Sequence, residues 1–138
     1  MKRRSSPESL PAEARSPCAV ACSLDIFGDR WTLLVIRDLL RGRRRYGEFA
    51  AAKEKIPTNI LAERLARLEA AGIVTRTPYQ DNPPRHEYLL TPKGEGLRPI
   101  IRAIADWGGQ HIAGTRRLDA TGQSVPAAGT AVAAGGKL

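Results

Sequence analysis

The chain has 138 residues and carries 22 lysines and arginines against 14 acidic residues, a formal charge of +8. This length suits one compact domain with tails and is small for an enzyme with an internal cleft, while the basic balance favours a polyanionic partner, nucleic acid above all. We find no apolar run near the roughly 20 residues that cross a bilayer, no secretory signal, and too few cysteines (two) for a disulfide framework.

The N-terminal part predicts an arm followed by a short helix. Residues 1–17 offer almost nothing to bury, so we expect a disordered basic arm, which is either simply solvated or makes a weak contact with DNA phosphates. Cys18–Phe27 is apolar over a wide surface and follows a proline, which predicts a short helix that must pack on something. Gly28 ends it.

A second helix is predicted over Trp31–Leu40, capped by Asp29. This helix is apolar around most of its circumference, so we expect it to form the core. Arg41–Arg45 then places four arginines in five residues, which cannot be core. This turn is either a solvated loop or a phosphate contact, for which the arginine fork is well suited.

A third, short helix is expected over Tyr46–Lys55, with Tyr46 and Phe49 facing inward, and Pro57 prevents it from continuing. The stretch that follows is a longer amphipathic helix ending at Gly72, with Thr58 or Asn59 as its cap. Its apolar face shows the spacing i, i+4, i+7, formed by Leu61, Leu65 and Leu68. Alone it could be an ordinary surface helix, but helix, turn, helix predicts a DNA-recognition helix.

The periodicity then changes from helical to alternating. Ile73–Tyr79 and Arg85–Thr91 alternate around a polar turn, which predicts a β-hairpin. A hairpin attached to a helix-turn-helix is a wing.

Thr91-Pro92 predicts the start of a last helix that runs to about Ile112 and is kinked at Pro99. Residues 113–138 are rich in alanine and glycine, and we expect a disordered tail.

Several short motifs occur in an order that resembles the HxlR-type winged helix-turn-helix regulators of bacteria. They are WTLLVIRDLLRG, RRYGEF, IxxxxLxxRLxxLExxGIV, RxEYxLTPxG and ADWG, spread over roughly residues 18–108. The resemblance implies an α+β, mainly α, fold over residues 18–112: a winged helix-turn-helix with extra N- and C-terminal dimerisation helices. The chain departs from the usual opening at Ala19, where proline is common, and at Asp29-Arg30, where a glycine–lysine pair is frequent.

The resemblance also implies a homodimer that binds double-stranded DNA. The lack of a secretory signal and the two cysteines are consistent with a reducing cytoplasm, where we expect the protein to be associated with the nucleoid. Apolar residues of the first and last helices agree with a dimer interface, since exposed patches of that kind mark protein interfaces. The interface residues expected are Leu24, Phe27, Ile101, Ile104 and Trp107. Two recognition helices about one DNA turn apart, roughly 34 Å, predict a palindromic operator. Repression is the expected outcome of binding.

Polar residues opposite the leucines are candidate base readers, because Asn pairs with adenine, Thr contacts the thymine methyl and Glu accepts from cytosine. They are Thr58, Asn59, Glu63 and Arg67. Cations around them should neutralise DNA phosphates, although any of them can instead be plain surface charge. This second set comprises Arg43, Arg44, Arg45, Lys53, Lys55, Arg64 and Arg85, of which Arg64 can alternatively form an intramolecular ion pair.

Cys18 lies at the start of the first helix, where backbone N–H groups stabilise a thiolate, and Cys22 is one turn further on. Either Cys18 is a small buried hydrophobe, as free cysteine often is, or it reacts with oxidants or electrophiles. Some HxlR-type regulators sense quinones, aldehydes or oxidants through a cysteine near this position. The cysteines and the two histidines, His86 and His111, do not have a zinc-site spacing, so we expect no metal and no cofactor.

Two other classes of function compete with a DNA-binding regulator. A winged-helix module that binds protein would not need the arginine turn or a basic wing. An enzyme would need a nucleophile–base pair, a phosphate loop or a metal cluster, none of which we find in the sequence.

Overall fold

The computed structural model describes residues 8–118 and 124–126. Their elements, in chain order, are α1 (Ala19–Phe27), α2 (Thr32–Leu40), α3 (Tyr46–Ala50), α4 (Thr58–Ala70), β1 (Val74–Gln80), β2 (Arg85–Leu90), α5 (Pro92–Glu95), α6 (Arg98–His111), β3 (Arg116–Leu118) and β4 (Ser124–Pro126). The predicted order of helices and wing is therefore confirmed. Within this part of the chain, no helix is both long and apolar enough to cross a bilayer.

The core lies between α2 and the inner face of α4. Its buried side chains are Val35, Ile36, Leu39, Phe49, Ile56, Leu61, Leu65, Leu68, Ile73, Val74 and Leu97. The prediction that α2 forms the core and that three leucines of α4 face inward is confirmed. Removing each such side chain from water stabilises the fold by roughly 1.5–3 kcal/mol before the cost of ordering it.

The third helix is shorter than predicted, and one of its inward residues was assigned wrongly. α3 ends at Ala50, and Lys55 has a φ of 57°, which no α-helix accommodates. Phe49 is buried, but Tyr46 is 37% exposed and its hydroxyl donates to the Thr58 carbonyl oxygen at 2.6 Å. A five-residue helix has one inner face, and the tyrosine hydroxyl needs a polar partner that the core lacks.

The recognition helix α4 ends as predicted but begins differently. Gly72 has a φ of 76°, and the Ile73 and Gly72 amides donate to the Leu68 and Glu69 carbonyls, which closes the helix end. At the start, Pro57 stands in the capping position and no side chain caps the helix. The expectation that Thr58 or Asn59 caps α4 is therefore wrong, because both residues already lie within its first turn.

The wing is a two-stranded antiparallel hairpin in which Val74 pairs with Leu90 and Thr77 with Glu87. Arg45, just before α3, forms an isolated antiparallel bridge with Glu87. The Tyr88 amide also donates to the Arg44 carbonyl oxygen at 2.8 Å. The arginine turn is thereby joined to the wing through its backbone.

The last helix is two helices and not one kinked helix. α5 ends at Glu95, and α6 begins at Arg98 with Pro99 in its first turn. A proline ring collides with the carbonyl of the residue four positions earlier, here Glu95, so the break precedes the proline. The predicted start is confirmed, since the Thr91 hydroxyl accepts from the Gly94 amide at 3.1 Å.

Both predicted tails lie partly outside the described residues, which exclude 1–7, 119–123 and 127–138. Residues 8–17 contain turns and no helix or strand. Within the segment predicted to be without ordered structure, β3 and β4 pair as short antiparallel strands, Arg116 opposite Pro126.

Candidate nucleic-acid interface

The outer face of α4 brings the four predicted base readers together. Thr58, Asn59, Glu63 and Arg67 are all exposed, while the leucines on the opposite face are buried. Thr58 and Asn59 stand at the N-terminal end of the helix. The Thr58 carbonyl accepts from Tyr46, but the side chains of Thr58 and Asn59 form no hydrogen bond or ion pair with the described residues. This end of α4 is consequently free for contact with a partner.

Further along α4, charged side chains contact each other, α1, and Asp29 in the segment between α1 and α2. Arg64 Nε lies 2.9 Å from Asp29 Oδ2, and its guanidinium also contacts the Glu63 carboxylate. Arg67 Nε is 3.7 Å from Glu63 Oε2, and Arg67 Nη2 is 3.4 Å from the carbonyl oxygen of Asp25. Of the two roles predicted for Arg64, the structure therefore contains the intramolecular ion pair.

The pKa values of the Asp29–Arg64 pair move in opposite directions. Burial raises the pKa of Asp29, but hydrogen bonds from Thr32, Arg64 and the Trp31 amide outweigh it and leave that pKa well below its usual range. The hydrogen bond to Asp29 raises the pKa of Arg64. Both groups remain charged at neutral pH.

A buried carboxylate, Asp38, organises the arginine turn. Asp38 is only 2% exposed, and its Oδ1 lies 3.0 Å from Arg37 Nη2 and 3.1 Å from Arg43 Nη1. Its carbonyl oxygen accepts from the Arg41 and Arg43 amides. No role for Asp38 was predicted from the sequence, although an acidic residue in an apolar helix followed by four arginines was the available signal.

Arg37 reaches a second acidic partner and so ties α2 to the segment between α3 and α4. Its Nη1 and Nη2 atoms each lie 2.9 Å from an oxygen of Glu54. This two-pronged pairing lowers the pKa of Glu54 to about 2.

Arg44 and Arg45 have different surroundings despite being neighbours. Their amides both donate to Glu48 Oε1, which lowers the pKa of Glu48. The Arg45 guanidinium is 3.0 Å from Glu87 Oε2 and stacks 3.7 Å from the centre of the Tyr79 ring. The Arg44 side chain is exposed and forms no ion pair among the described residues.

The remaining predicted phosphate contacts are exposed cations in two different parts of the chain. Lys53 and Lys55 lie between α3 and α4, and Arg85 opens β2 opposite Gln80. None of them forms an ion pair within the described part of the chain. With Arg44, they are the cations of the predicted set that are least engaged with the protein itself.

The predicted dimer residues divide into two groups. Leu24, Ile104 and Trp107 are 48%, 51% and 61% exposed. Phe27 and Ile101 are half-buried against the domain's own core. Further exposed apolar side chains on α1, on α6 and just after α6 are Val20, Ile26, Ile100 and Ile112.

The two cysteines are free thiols in different environments. Cys18 is exposed at the N-cap position of α1, so it is not the small buried hydrophobe that one interpretation expected. The Cys22 thiol is half-buried and donates to the Ser16 carbonyl oxygen at 3.2 Å. Across the described residues, no group of three or more His, Cys, Asp or Glu side chains could hold a metal ion.

Comparison with known proteins agrees with this geometry. A family model for HxlR-like helix-turn-helix proteins matches residues 26–116. An uncharacterized HTH-type transcriptional regulator of Mycobacterium tuberculosis is 38% identical over 94 residues, which cover 68% of this chain but only 59% of the relative. The HTH-type regulator YdeP of Bacillus subtilis, also uncharacterized, is 35% identical over 103 residues, 75% of this chain and 80% of the relative.

A solved structure is also similar to this chain. The redox regulator HypR in its reduced form superposes with a TM-score of 0.61 at 35% identity and covers 66% of this chain and 90% of its own. The residues matched by the family model contain the helix-turn-helix and the wing. The chain belongs to the HxlR-like helix-turn-helix family of transcriptional regulators.

Proposed function

We propose that this protein is a repressor that binds a palindromic duplex as a homodimer. In this proposal α4 enters the major groove, and the wing, residues 73–91, lies on the flanking backbone. The observation that carries it is the exposed polar N-terminal end of α4, directly opposite three buried leucines. A helix with this division can present Thr58 and Asn59 to base edges while its other face stays in the core.

The roles of the base readers differ in this proposal. Asn59 pairs with an adenine edge and Thr58 contacts a thymine methyl group. Glu63 and Arg67 are 3.7 Å apart at their closest charged atoms, so they must exchange this contact for base contacts when DNA binds. Arg44, Lys53, Lys55 and Arg85 are the favoured phosphate ligands, because no other side chain in the described part of the chain pairs with theirs.

The dimer in this proposal forms through α1 and α6. A large apolar surface remains exposed on this small domain. It is formed by Ile104 and Trp107 of α6 and Leu24 of α1. A two-fold axis beside this surface would bring two α4 helices to successive major grooves, roughly 34 Å apart. A dimer bound across a promoter would then block transcription by occupying it.

Control by a small electrophile or oxidant is the further part of the proposal, and Cys18 is its reactive residue. The thiol is exposed at the start of α1, the helix proposed to contact the partner subunit. HypR, the structurally similar protein, is itself a redox regulator. We expect diamide or a quinone to weaken duplex binding in the wild type and in Cys22→Ser but not in Cys18→Ser. Indifference of the wild type to both reagents would remove Cys18 from the proposal.

The experiment that tests DNA binding is selection of bound duplexes from a random pool, followed by affinity measurements at several salt concentrations. We expect a palindromic consensus and a log-affinity that falls steeply with log-salt. The alternative, a winged-helix module that binds protein, predicts no consensus and no preference of the protein for any duplex over a scrambled one.

A further inference from the structure

The Asp29 carboxylate contacts two helices at once. Its Oδ2 atom accepts hydrogen bonds from the amides of Trp31 and Thr32 at 3.0 and 3.1 Å, which fixes the start of α2. The same oxygen accepts from Arg64 Nε, on α4, at 2.9 Å. One carboxylate therefore sets both where the core helix begins and where the middle of the recognition helix lies.

This pair is shielded from water more than the other ion pairs of α4. The side chains of Arg64 and Asp29 are 17% and 24% exposed, whereas those of Arg67 and Glu63 are 45% and 50% exposed. If the two charges separate, each remains partly buried without its counter-ion, which is energetically unfavourable. The ion pair therefore resists movement of α4.

A second contact, about one turn further along α4, holds the same face of the helix. Arg67 reaches the Asp25 carbonyl oxygen in α1 at 3.4 Å, and Glu63 contacts both Arg64 and Arg67. The helix α4 is thus attached at two points, to Asp29 between α1 and α2 and to Asp25 within α1. Rotation of α4 about its axis would have to break both.

We propose that Asp29 is a positioning residue for sequence recognition, acting through Arg64. This inference rests on the proposed function, because it concerns how α4 reads DNA. Asp29 itself contacts no base. It holds α4 at the angle from which Asn59 and Thr58 reach base edges.

Such positioning affects discrimination between sequences more than overall affinity. Hydrogen bonds to base edges weaken steeply when the donor angle changes, so a small rotation of α4 misplaces Asn59. Phosphate contacts from long flexible cations tolerate the same rotation, because Lys and Arg side chains can follow it. The measurable quantity is therefore the ratio of affinities for the selected and the scrambled duplex.

The test uses variants that separate this role from folding. Asp29→Asn keeps an oxygen for the α2 amides but removes the charge that Arg64 pairs with. Arg64→Gln removes the partner and leaves the α2 cap intact, and Arg64→Lys keeps a cation within reach. Glu95→Gln is the matched control, since it removes a carboxylate from the exposed Glu95–Arg98 pair. Affinities are compared where circular dichroism shows each variant to be folded.

We expect the affinity ratio to fall roughly tenfold in Asp29→Asn and in Arg64→Gln, and the double variant to lose no more than either alone. Arg64→Lys should recover part of the ratio, and Glu95→Gln should keep it. The slope of log-affinity against log-salt should stay unchanged in Asp29→Asn.

An unchanged ratio in Asp29→Asn would overturn the inference. So would a result in which Arg64→Gln weakens both duplexes alike and lowers the salt slope by about one, because Arg64 would then be a phosphate ligand. If Asp29→Asn does not fold, Arg64→Gln and Arg64→Lys decide the question. A wild type that prefers no duplex would refute the proposed function instead.

Discussion

Asn59 and Thr58 differ from the other polar residues of α4 because their side chains form no hydrogen bond or ion pair with the described residues. Glu63, Arg64 and Arg67 already contact each other, and the two arginines also contact Asp29 and Asp25. A group that need not give up an internal contact can bind a base at lower cost. The N-terminal end of α4 is therefore where sequence discrimination should be concentrated.

Asn59→Ala should lose discrimination while keeping salt-dependent, non-specific binding. The expected loss is about 1–3 kcal/mol for the selected duplex, the range for a bidentate base contact. Titrations against the selected and the scrambled duplex measure it. If the variant binds both duplexes more weakly by the same factor, or binds both as tightly as the wild type, Asn59 is not a base reader.

Arg44 and Arg45 should behave differently when each is replaced by alanine. Arg44→Ala should lower the salt slope by about one, since its exposed side chain is available to a phosphate. Arg45→Ala should leave the slope nearly unchanged and destabilise the fold by about 1 kcal/mol, because its partners are Glu87 and the Tyr79 ring. Salt titrations and urea unfolding of both variants distinguish these outcomes. Identical slopes of log-affinity against log-salt for the two variants would contradict these separate roles of Arg44 and Arg45.

The arginines also show how much of the site could be predicted from the sequence. The presence of the arginines and their place after the core helix were predictable from charge and periodicity. Which of them would bind Asp38 or Glu87 was not, because Asp38 lies inside an apolar helix and Glu87 lies far along the chain in the wing. The choice of Asp29 as the partner of Arg64, in α4, was not predictable either. Pairing across the fold depends on tertiary packing, which a local pattern does not contain.

Among the elements, α4 and the wing were the easiest to predict. The leucine spacing and Gly72 defined the helix, and alternation defined the strands. The extent of α3 and the break between α5 and α6 were harder. The backbone at Lys55 is left-handed, a conformation that the sequence usually indicates with a glycine, and here there is none. Pro99 is compatible both with a kink in one helix and with the start of a second helix.

Gly94 is the point where α5 packs against the base of the wing, at Ile73 and at Leu90, the last residue of β2. A Cβ there would collide with the Ile73 carbonyl oxygen and lie 2.7 Å from Leu90 Cδ2. Gly94→Ala should therefore destabilise the fold by about 1–3 kcal/mol, the usual cost of overpacking. Gly47→Ala in α3 is the control, since no atom lies within 4 Å of its added Cβ. If urea unfolding gives both variants the same free energy of unfolding as the wild type, the close approach of Gly94 to Ile73 is refuted.

At the scale of the whole molecule, the apolar side chains are distributed unevenly. The domain buries its core between α2 and α4, yet α6 exposes Ile100, Ile104 and Trp107 along one stripe. At 100° per residue these three lie on one arc, while Arg98 and Arg102 lie on another. An exposed stripe of large apolar residues beside a polar one is typical of a helix that packs on a partner.

Ile104→Glu should dissociate the proposed dimer, because it places a charge in the middle of this stripe, where a partner would exclude water. Two half-sites bound by one dimer gain affinity from being linked, so the variant should bind the palindrome roughly 100-fold more weakly. Sedimentation measures the dissociation, and duplexes with one or two half-sites measure the loss of linkage. Arg102→Gln, on the polar arc, also lowers the net charge by one and should remain dimeric. If Ile104→Glu sediments as a stable dimer, the interface lies elsewhere on the protein. If it is monomeric but still binds the palindrome as tightly as the wild type, one subunit is sufficient for recognition, and the two-fold arrangement of α4 helices is wrong.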